Sequence, residues 1–282
     1  AEGAMLAGLA KAPNGYSPID YPEKALERRN LVLQAMEDAG MISTETKLNE
    51  QRKTLGLALD ERQNTPWTDS YIDLVIKEAK NKENLSMESL KTGGYRIVVG
   101  IDSDIQQIVY EKFQQDDYFP GNTSGVEGAF VMLEKESGKI VAALGGRDYN
   151  LGDLNRVFVK RQPGSTFKPL AVYGPALMDD RYTPYSLLPD EQEINDDYIV
   201  ANVDHTYEKA VSLYDGLVAS KNVPAVWLLD EIGIRYAKSY LEKMNISIPD
   251  EGLAIALGGL SEGITPLQMV EGYRTFAANG NF

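Results

Sequence analysis

The spacing of apolar positions divides the chain into stretches of different period. Glu2 to Ala10 is small and apolar and predicts a helix, stopped by the turn signal at Pro13, Asn14 and Gly15. Pro22 suits a first helical turn and Gly40 a stop. Between them Leu26, Leu33 and Met36 make a stripe, with Arg28, Arg29 and Glu37 elsewhere, so an amphipathic helix with a polar outer face is expected. Ser43 opens a polar helical stretch to near Leu57, and Thr68 can cap another running to near Asn81.

At Gly93-Gly94 the period changes. Tyr95 to Ile101 (Y-R-I-V-V-G-I) predicts a strand, and Asp102-Ser103 caps a helix carrying Ile105, Ile108, Val109 and Phe113. The run F-P-G-N-T-S-G at 119–125 predicts a surface loop or boundary. Glu127 to Glu134 and Lys139 to Leu144, joined at Ser137-Gly138, predict a hairpin ending on Gly145-Gly146. From Phe167 onward helical patterns dominate, interrupted by a polar stretch at 189–206. No internal repeat or low-complexity tract is visible.

Composition narrows the function classes. A length of 282 residues fits about two domains or one large one, and 43% hydrophobic with 25% charged residues is ordinary globular composition. The net charge is −14, from 42 acidic and 28 basic residues, and no Lys/Arg run offers a phosphate-binding face. Nucleic acid is therefore not expected as a partner. The absence of cysteine excludes disulfides, thiolate nucleophiles and Cys-based zinc sites. His205 is the only histidine, so no His-based metal cluster is expected, and no G-x-S-x-G elbow accompanies it for a Ser-His-Asp triad. No stretch approaches the ~18 consecutive apolar residues that cross a bilayer, and Ala1 opens no signal-peptide pattern. Both ends are abrupt and read as cut from a longer chain.

The informative run is R-Q-P-G-S-T-F-K-P-L-A-V-Y-G-P-A-L, residues 161–177. Pro163-Gly164 makes a turn and an apolar helix follows, which sets Ser165 near a helix start and Lys168 one turn on, along the same face. An acylatable serine needs a base within reach, and i, i+3 spacing supplies one. A lysine can serve only when neutral, so its site must lower its pKa. On the tetrapeptide alone, a capping serine followed by a surface lysine is the preferred reading. Two features raise the functional one. Pro169 and an apolar helix behind Lys168 direct it inward, and S-K-N at Ser220, Lys221 and Asn222 places two polar side chains at a break between helical stretches.

S-x-x-K, S-x-N and K-T-G form the motif set of serine β-lactamases and penicillin-binding proteins. R-Q-P-G-S-T-F-K-P and S-K-N-V-P-A here resemble the transpeptidase domain of penicillin-binding proteins. So do the hairpin G-A-F-V-M-L-E-K-E-S-G-K-I-V-A-A-L-G-G and the stretch L-G-G-L-S-E-G-I-T-P-L-Q-M-V-E-G-Y-R-T-F-A-A-N-G. E-G-A-M-L-A-G-L-A-K-A-P-N-G-Y-S-P with P-E-K-A-L-E-R-R-N-L-V-L-Q-A-M resembles the last part of a peptidoglycan glycosyltransferase domain, which gives the class A, bifunctional arrangement. Residues 43–90 carry the resemblance least. The sequence departs from the pattern at Lys91-Thr92-Gly93, which precedes Ser165, whereas the family's K-T-G follows S-x-N. It is read as coincidence, with the true K-T-G strand expected beyond Phe282 and the glycosyltransferase carboxylates expected before Ala1; Glu2 is read only as a first-turn acid.

The resemblance implies a multidomain, mainly α chain with α+β character. Residues 1–60 would be the end of a glycosyltransferase domain and 61–122 an interdomain linker. Residues 123–282 would be an incomplete transpeptidase of β-lactamase-like fold, an antiparallel sheet flanked by helices. It implies an acyl-serine DD-transpeptidase acting on stem peptides ending in D-Ala-D-Ala and acylated by β-lactams. Ser165 would be the nucleophile, Lys168 its base, Ser220 a proton relay, and Asn222 would bind the peptide amide and hold Lys168. No cofactor or metal is implied. The parent protein is expected to be membrane-anchored, working on the outer face of the bacterial cytoplasmic membrane. A serine β-lactamase would need a deacylating Glu, and Glu242-Lys243-Met244-Asn245 is only an approximate E-x-x-L-N. A non-catalytic scaffold is the third reading. The pairs Asp116-Asp117, Asp179-Asp180 and Asp196-Asp197 read as solvated loop acids, and Trp227 as core.

Overall fold

The computed structural model describes residues 1–13, 15–57, 65–119, 125–191, 193–195 and 198–280. Asn14, residues 120–124 of the expected loop and Asp196-Asp197 therefore lie outside the described residues. The chain divides into two units, Ala1–Asn64 and Thr65–Phe282.

The first unit is three helices, α1 (Glu2–Leu9), α2 (Pro22–Asp38) and α3 (Thr44–Gln51). Glu2 is the first-turn acid of α1, and Pro22 opens α2 as expected. Ser43 caps α3 by accepting from Thr46 N, but the helix stops at Gln51 rather than near Leu57. The physical reason is Arg29. Its guanidinium donates to Gln51 O (2.9 Å) and Lys53 O (2.7 Å), satisfying carbonyls that a longer helix would have used itself. Arg29 is only 1% exposed. Its expected place on a polar outer face is thus corrected: the stripe rule sorts side chains by polarity, whereas this guanidinium is buried because backbone acceptors surround it.

The second unit begins with α4 (Asp69–Lys82), α5 (Met87–Thr92) and α6 (Ser103–Phe113). Thr68 stands at the start of α4, but its hydroxyl donates back to Thr65 O and makes no cap bond, a correction to the expected cap. The short α5 was not expected, and it carries Lys91 and Thr92 on its last turn, with Thr92 Oγ1 donating to Glu88 O. Asp102 caps α6 as expected, accepting from Asp104 N and Ile105 N.

The predicted hairpin is present as β1 (Phe130–Leu133) and β2 (Ile140–Leu144), antiparallel, with Phe130 opposite Leu144 and an irregularity at Met132/Leu133. The strand predicted over Tyr95–Ile101 does not form. The edge of β2 is taken instead by α6. Asp102 N donates to Val141 O (2.9 Å), and the Gln106 amide pairs with Ala143, accepting from its N–H (2.7 Å) and donating to its carbonyl (3.0 Å). Ser70 Oγ also donates to Ala143 O (3.0 Å). A side-chain amide here copies a strand's donor and acceptor pair, and a sequence pattern of alternating apolar residues cannot anticipate that substitution.

After the serine run, α7 (Gly174–Leu177) leads to β3 (Leu187–Asp190), which pairs antiparallel with β6 (Lys209–Ser212); the small hairpin β4 (Glu193–Asn195) and β5 (Tyr198–Ile199) lies between them. The polar stretch 189–206 thus contains short strands that its composition hid. Helices α8 (Leu213–Val218), α9 (Asn222–Ile232), α10 (Ile234–Lys243) and α11 (Pro266–Ala277) complete the unit. Its main core gathers Phe167, Leu170, Tyr173, Leu228, Leu229 and Leu241, with Trp227 packed against it at partial burial. A smaller cluster, Tyr71, Leu74, Ala143 and Val157, joins α4 to β2. No described helix is long and apolar enough to cross a membrane.

The Gln106 bonds give a test of how the hairpin edge is held. Gln106→Leu should lower unfolding stability by about 1–3 kcal/mol, the cost of leaving a buried backbone group unpaired. Urea unfolding measures this, and Gln106→Glu should be harmful as well because it lacks the two N–H donors.

Candidate active site

The backbone at 163–169 is dictated by its own residues. Gly164 has φ +57°, a conformation glycine adopts without steric cost. Pro169 has no N–H with which to reach the Ser165 carbonyl four residues back. Lys168 N takes that carbonyl instead, and Gly164–Phe167 forms a 3-10 turn. The expected ordinary helix start is corrected accordingly. With three residues per turn, positions i and i+3 share one side, which puts Lys168 on the Ser165 side of the turn. Pro169–Tyr173 then widens into a π-helical turn whose side chains enter the core.

Two glycines seat this turn from the other side. A Cβ on Gly258 (φ +67°) would lie 2.2 Å from Gly164 O, and one on Gly263 (φ +75°) would lie 2.5 Å from Arg161 O. Between them an antiparallel bridge joins Arg161 and Ile264, with N···O distances of 3.0 and 2.8 Å. From α11, Tyr273 Oη donates to Thr166 O (2.7 Å), and Arg274 holds the hairpin through Lys135 O and Glu136 O, both 2.9 Å. One helix therefore ties the serine turn to the β1–β2 turn.

Ser165 is exposed, whereas Lys168 is 1% exposed. The Lys168 ammonium donates to Ser220 O (2.6 Å), Lys221 O (3.0 Å) and Asn222 Oδ1 (2.9 Å), with Ser220 Oγ at 3.3 Å. Burial pushes its pKa down to about 8. The carbonyl acceptors favour the charged form and oppose that fall, but desolvation is the larger effect. Lys168 is thus brought together with Ser220 and Asn222, more than fifty positions on, around one ammonium, and Ser165 lies three residues before Lys168 on the same turn.

Ser220 sits where α8 ends. Lys221 N donates to Gly216 O (2.9 Å) and Ser220 N to Leu217 O (3.0 Å), a Schellman arrangement whose left-handed position is usually glycine. Ser220 holds that position with φ +53°. A non-glycine residue there costs about 1–2 kcal/mol, which fits a side chain retained for what it does.

Sequence reasoning missed the layer beneath. Asn202 Oδ1 accepts from Asn222 N (2.9 Å) and Val223 N (3.1 Å), capping α9 from a distant loop. Asn222 Nδ2 donates to Ala201 O (2.9 Å). Asp190, fully buried, accepts from Asn202 Nδ2 (2.6 Å) and pairs with the Lys221 ammonium (3.1 Å). The one available signal was Lys221 inside S-K-N, flanked by apolar runs.

The remaining candidates fall away from this centre. His205 is exposed on a turn at φ +53°, and no cluster of metal-ligating side chains occurs among the described residues. Asp116 pairs with Arg147, and Asp179 with Arg181. Glu242 and Lys243 end α10, and Asn245 follows at φ +53°. Lys91 and Thr92 are helical, not on a strand. A cavity of about 680 Å³ lies between α4, residues 95–100 and the β1–β2 turn, and contains none of the four site residues.

The chain is similar to known proteins in sequence and in fold. The penicillin binding protein transpeptidase domain family matches residues 128–282. Along its whole length the chain is 50% identical to penicillin-binding protein 1F of Bacillus subtilis, of which it spans 39%. It is 31% identical to penicillin-binding protein 1A of Streptococcus oralis over 98% of the chain and 46% of that protein. Its fold matches the crystal structure of penicillin-binding protein 1A from Haemophilus influenzae with a TM-score of 0.75, over 97% of this chain and 55% of that one, at 20% identity. With S-x-x-K on a 3-10 turn and S-x-N closing over the lysine, the chain belongs to the penicillin-binding protein transpeptidase family.

Proposed function

We propose that the parent of this chain is a class A penicillin-binding protein whose transpeptidase uses Ser165 as nucleophile. Its substrates would be peptidoglycan stem peptides ending in D-Ala-D-Ala, and β-lactams would acylate the same serine. The observation that carries this reading is the buried Lys168 ammonium, one 3-10 turn after Ser165 and held by the 220–222 turn. Residues 1–60 are read as the end of a glycosyltransferase domain, 61–122 as a linker and 123–282 as transpeptidase. Similarity to penicillin-binding proteins 1F and 1A ahead of residue 128 supports that division. On this reading the parent is anchored in the cytoplasmic membrane and works on its outer face, and glycosyl transfer depends on residues outside this chain.

In the proposed reaction, neutral Lys168 takes the Ser165 hydroxyl proton as Oγ attacks the penultimate D-Ala carbonyl. Free N–H groups at the start of a helical turn favour the negative charge that develops there. The C–N bond breaks, the amine of the terminal D-Ala receives a proton through Ser220, and an acyl-Ser165 ester remains. An amine of a neighbouring stem peptide then attacks the ester by the reverse proton path. Asn222 shares its amide between Lys168 and Ala201, and on this reading it would also bind the peptide amide.

Ser165→Ala should abolish covalent labelling by a fluorescent penicillin, read by intact mass; a label on another residue of that variant refutes the assignment. Because the base must be neutral, acylation should speed up as pH rises through about 8, the value to which burial brings Lys168. A profile flat from pH 6 to 9 contradicts Lys168 as base. Ser220→Gly separates strain from function. It should unfold at an equal or higher temperature, because glycine accepts the left-handed position, yet it should acylate at least ~10-fold more slowly for want of a proton relay.

A further inference from the structure

We propose that Lys221, through its buried pair with Asp190, is a positioning residue that fixes the two carbonyls and the amide on which Lys168 rests. The proposal builds on the transpeptidase reading of the site. Lys168 has three good acceptors, and all come from three consecutive residues: Ser220 O, Lys221 O and Asn222 Oδ1. The orientation of that turn therefore decides where the ammonium sits.

Lys221 joins the turn to a second polar centre. While its carbonyl accepts from Lys168, its own ammonium, 5% exposed, reaches the other way to Asp190 Oδ2 (3.1 Å), Thr206 O (2.9 Å) and Thr206 Oγ1 (3.1 Å). Those three partners use its three protons. Asp204 Oδ2, on an exposed side chain, lies at 4.0 Å. Asp190 is closed on its remaining sides by Asn202 Nδ2 (2.6 Å) and Glu208 N (3.1 Å). Asn202 in turn donates to Thr206 O (2.8 Å) and accepts from Asn222 N and Val223 N. The peptide groups at 220–222 are thus held by Gly216 O, by Asn202 and by Lys168, with Lys221 anchored beneath.

Such a pair is poorly explained as a source of stability. Burying two charges costs desolvation that their attraction roughly repays, and apolar residues of similar size commonly do as well. What an apolar residue at 221 cannot do is fix direction. Here the pair links β3, the 202–206 turn and the start of α9 to the residue whose carbonyl the catalytic lysine needs.

The experiment compares the protein with its Lys221→Met and Lys221→Arg variants in second-order acylation by a fluorescent penicillin, final labelling stoichiometry and pH profile. Lys221→Met should still label to completion, but ~10- to 100-fold more slowly per folded molecule, the scale of loss for a misplaced catalytic group. Its pH midpoint should be displaced from the parent's, because Lys168 has lost its fixed acceptors, and Lys221→Arg should recover part of the rate. If Lys221→Met does not fold, the paired variant Lys221→Met/Asp190→Asn, which leaves no lone buried charge, is read in the same way. A rate per folded molecule within about threefold of the parent, or an unmoved pH midpoint, overturns the proposal. A parent that takes no label at all sinks the transpeptidase reading and this inference with it. A labelling parent with an unaffected variant sinks this inference alone.

Discussion

The site depends on keeping one ammonium out of water. A lysine in a protein interior must find acceptors for three protons or give one up. Lys168 sits between those outcomes. Its acceptors keep it hydrogen-bonded and oriented, while burial weakens its hold on the proton. Much of the surrounding architecture serves that compromise. The 3-10 turn aligns Lys168 with Ser165, the end of α8 and start of α9 present the acceptors, and the apolar core around Phe167 and Leu170 excludes water.

Left-handed backbone recurs where these turns meet. Gly258 and Gly263 occupy left-handed backbone positions where two segments approach too closely for a side chain, whereas Gly164 is left-handed but faces open space. Ser220 occupies a comparable position without being glycine. The contrast distinguishes positions where backbone approach forbids a Cβ from one where a hydroxyl is retained despite its conformational cost.

Much of this was legible in the sequence, for identifiable reasons. Caps at Ser43 and Asp102, the proline at the start of α2 and the β1–β2 hairpin are local signals, read from neighbouring residues. S-x-x-K and S-x-N were readable as motifs because residue type and spacing carry them. What escaped was non-local polar satisfaction. Arg29 buried against α3 carbonyls, Gln106 standing in for a strand edge, and Asp190 with Asn202 beneath S-K-N all look like surface residues in one dimension. Each is buried with a bond to a backbone group distant in sequence. The strand read at 95–101 does not form, and the edge of β2 at Val141 and Ala143 is bonded by Asp102 and Gln106 instead.

The central claim is that Lys168, one turn after Ser165, is an ammonium close to losing its proton because it is buried. The direct measurement is a pH titration of its side-chain Cε resonance by NMR in the ¹³C-lysine-labelled protein, assigned with Lys168→Arg. The account predicts a midpoint near 8, well below the ordinary lysine range. A Lys168 resonance that titrates within that ordinary range would contradict it.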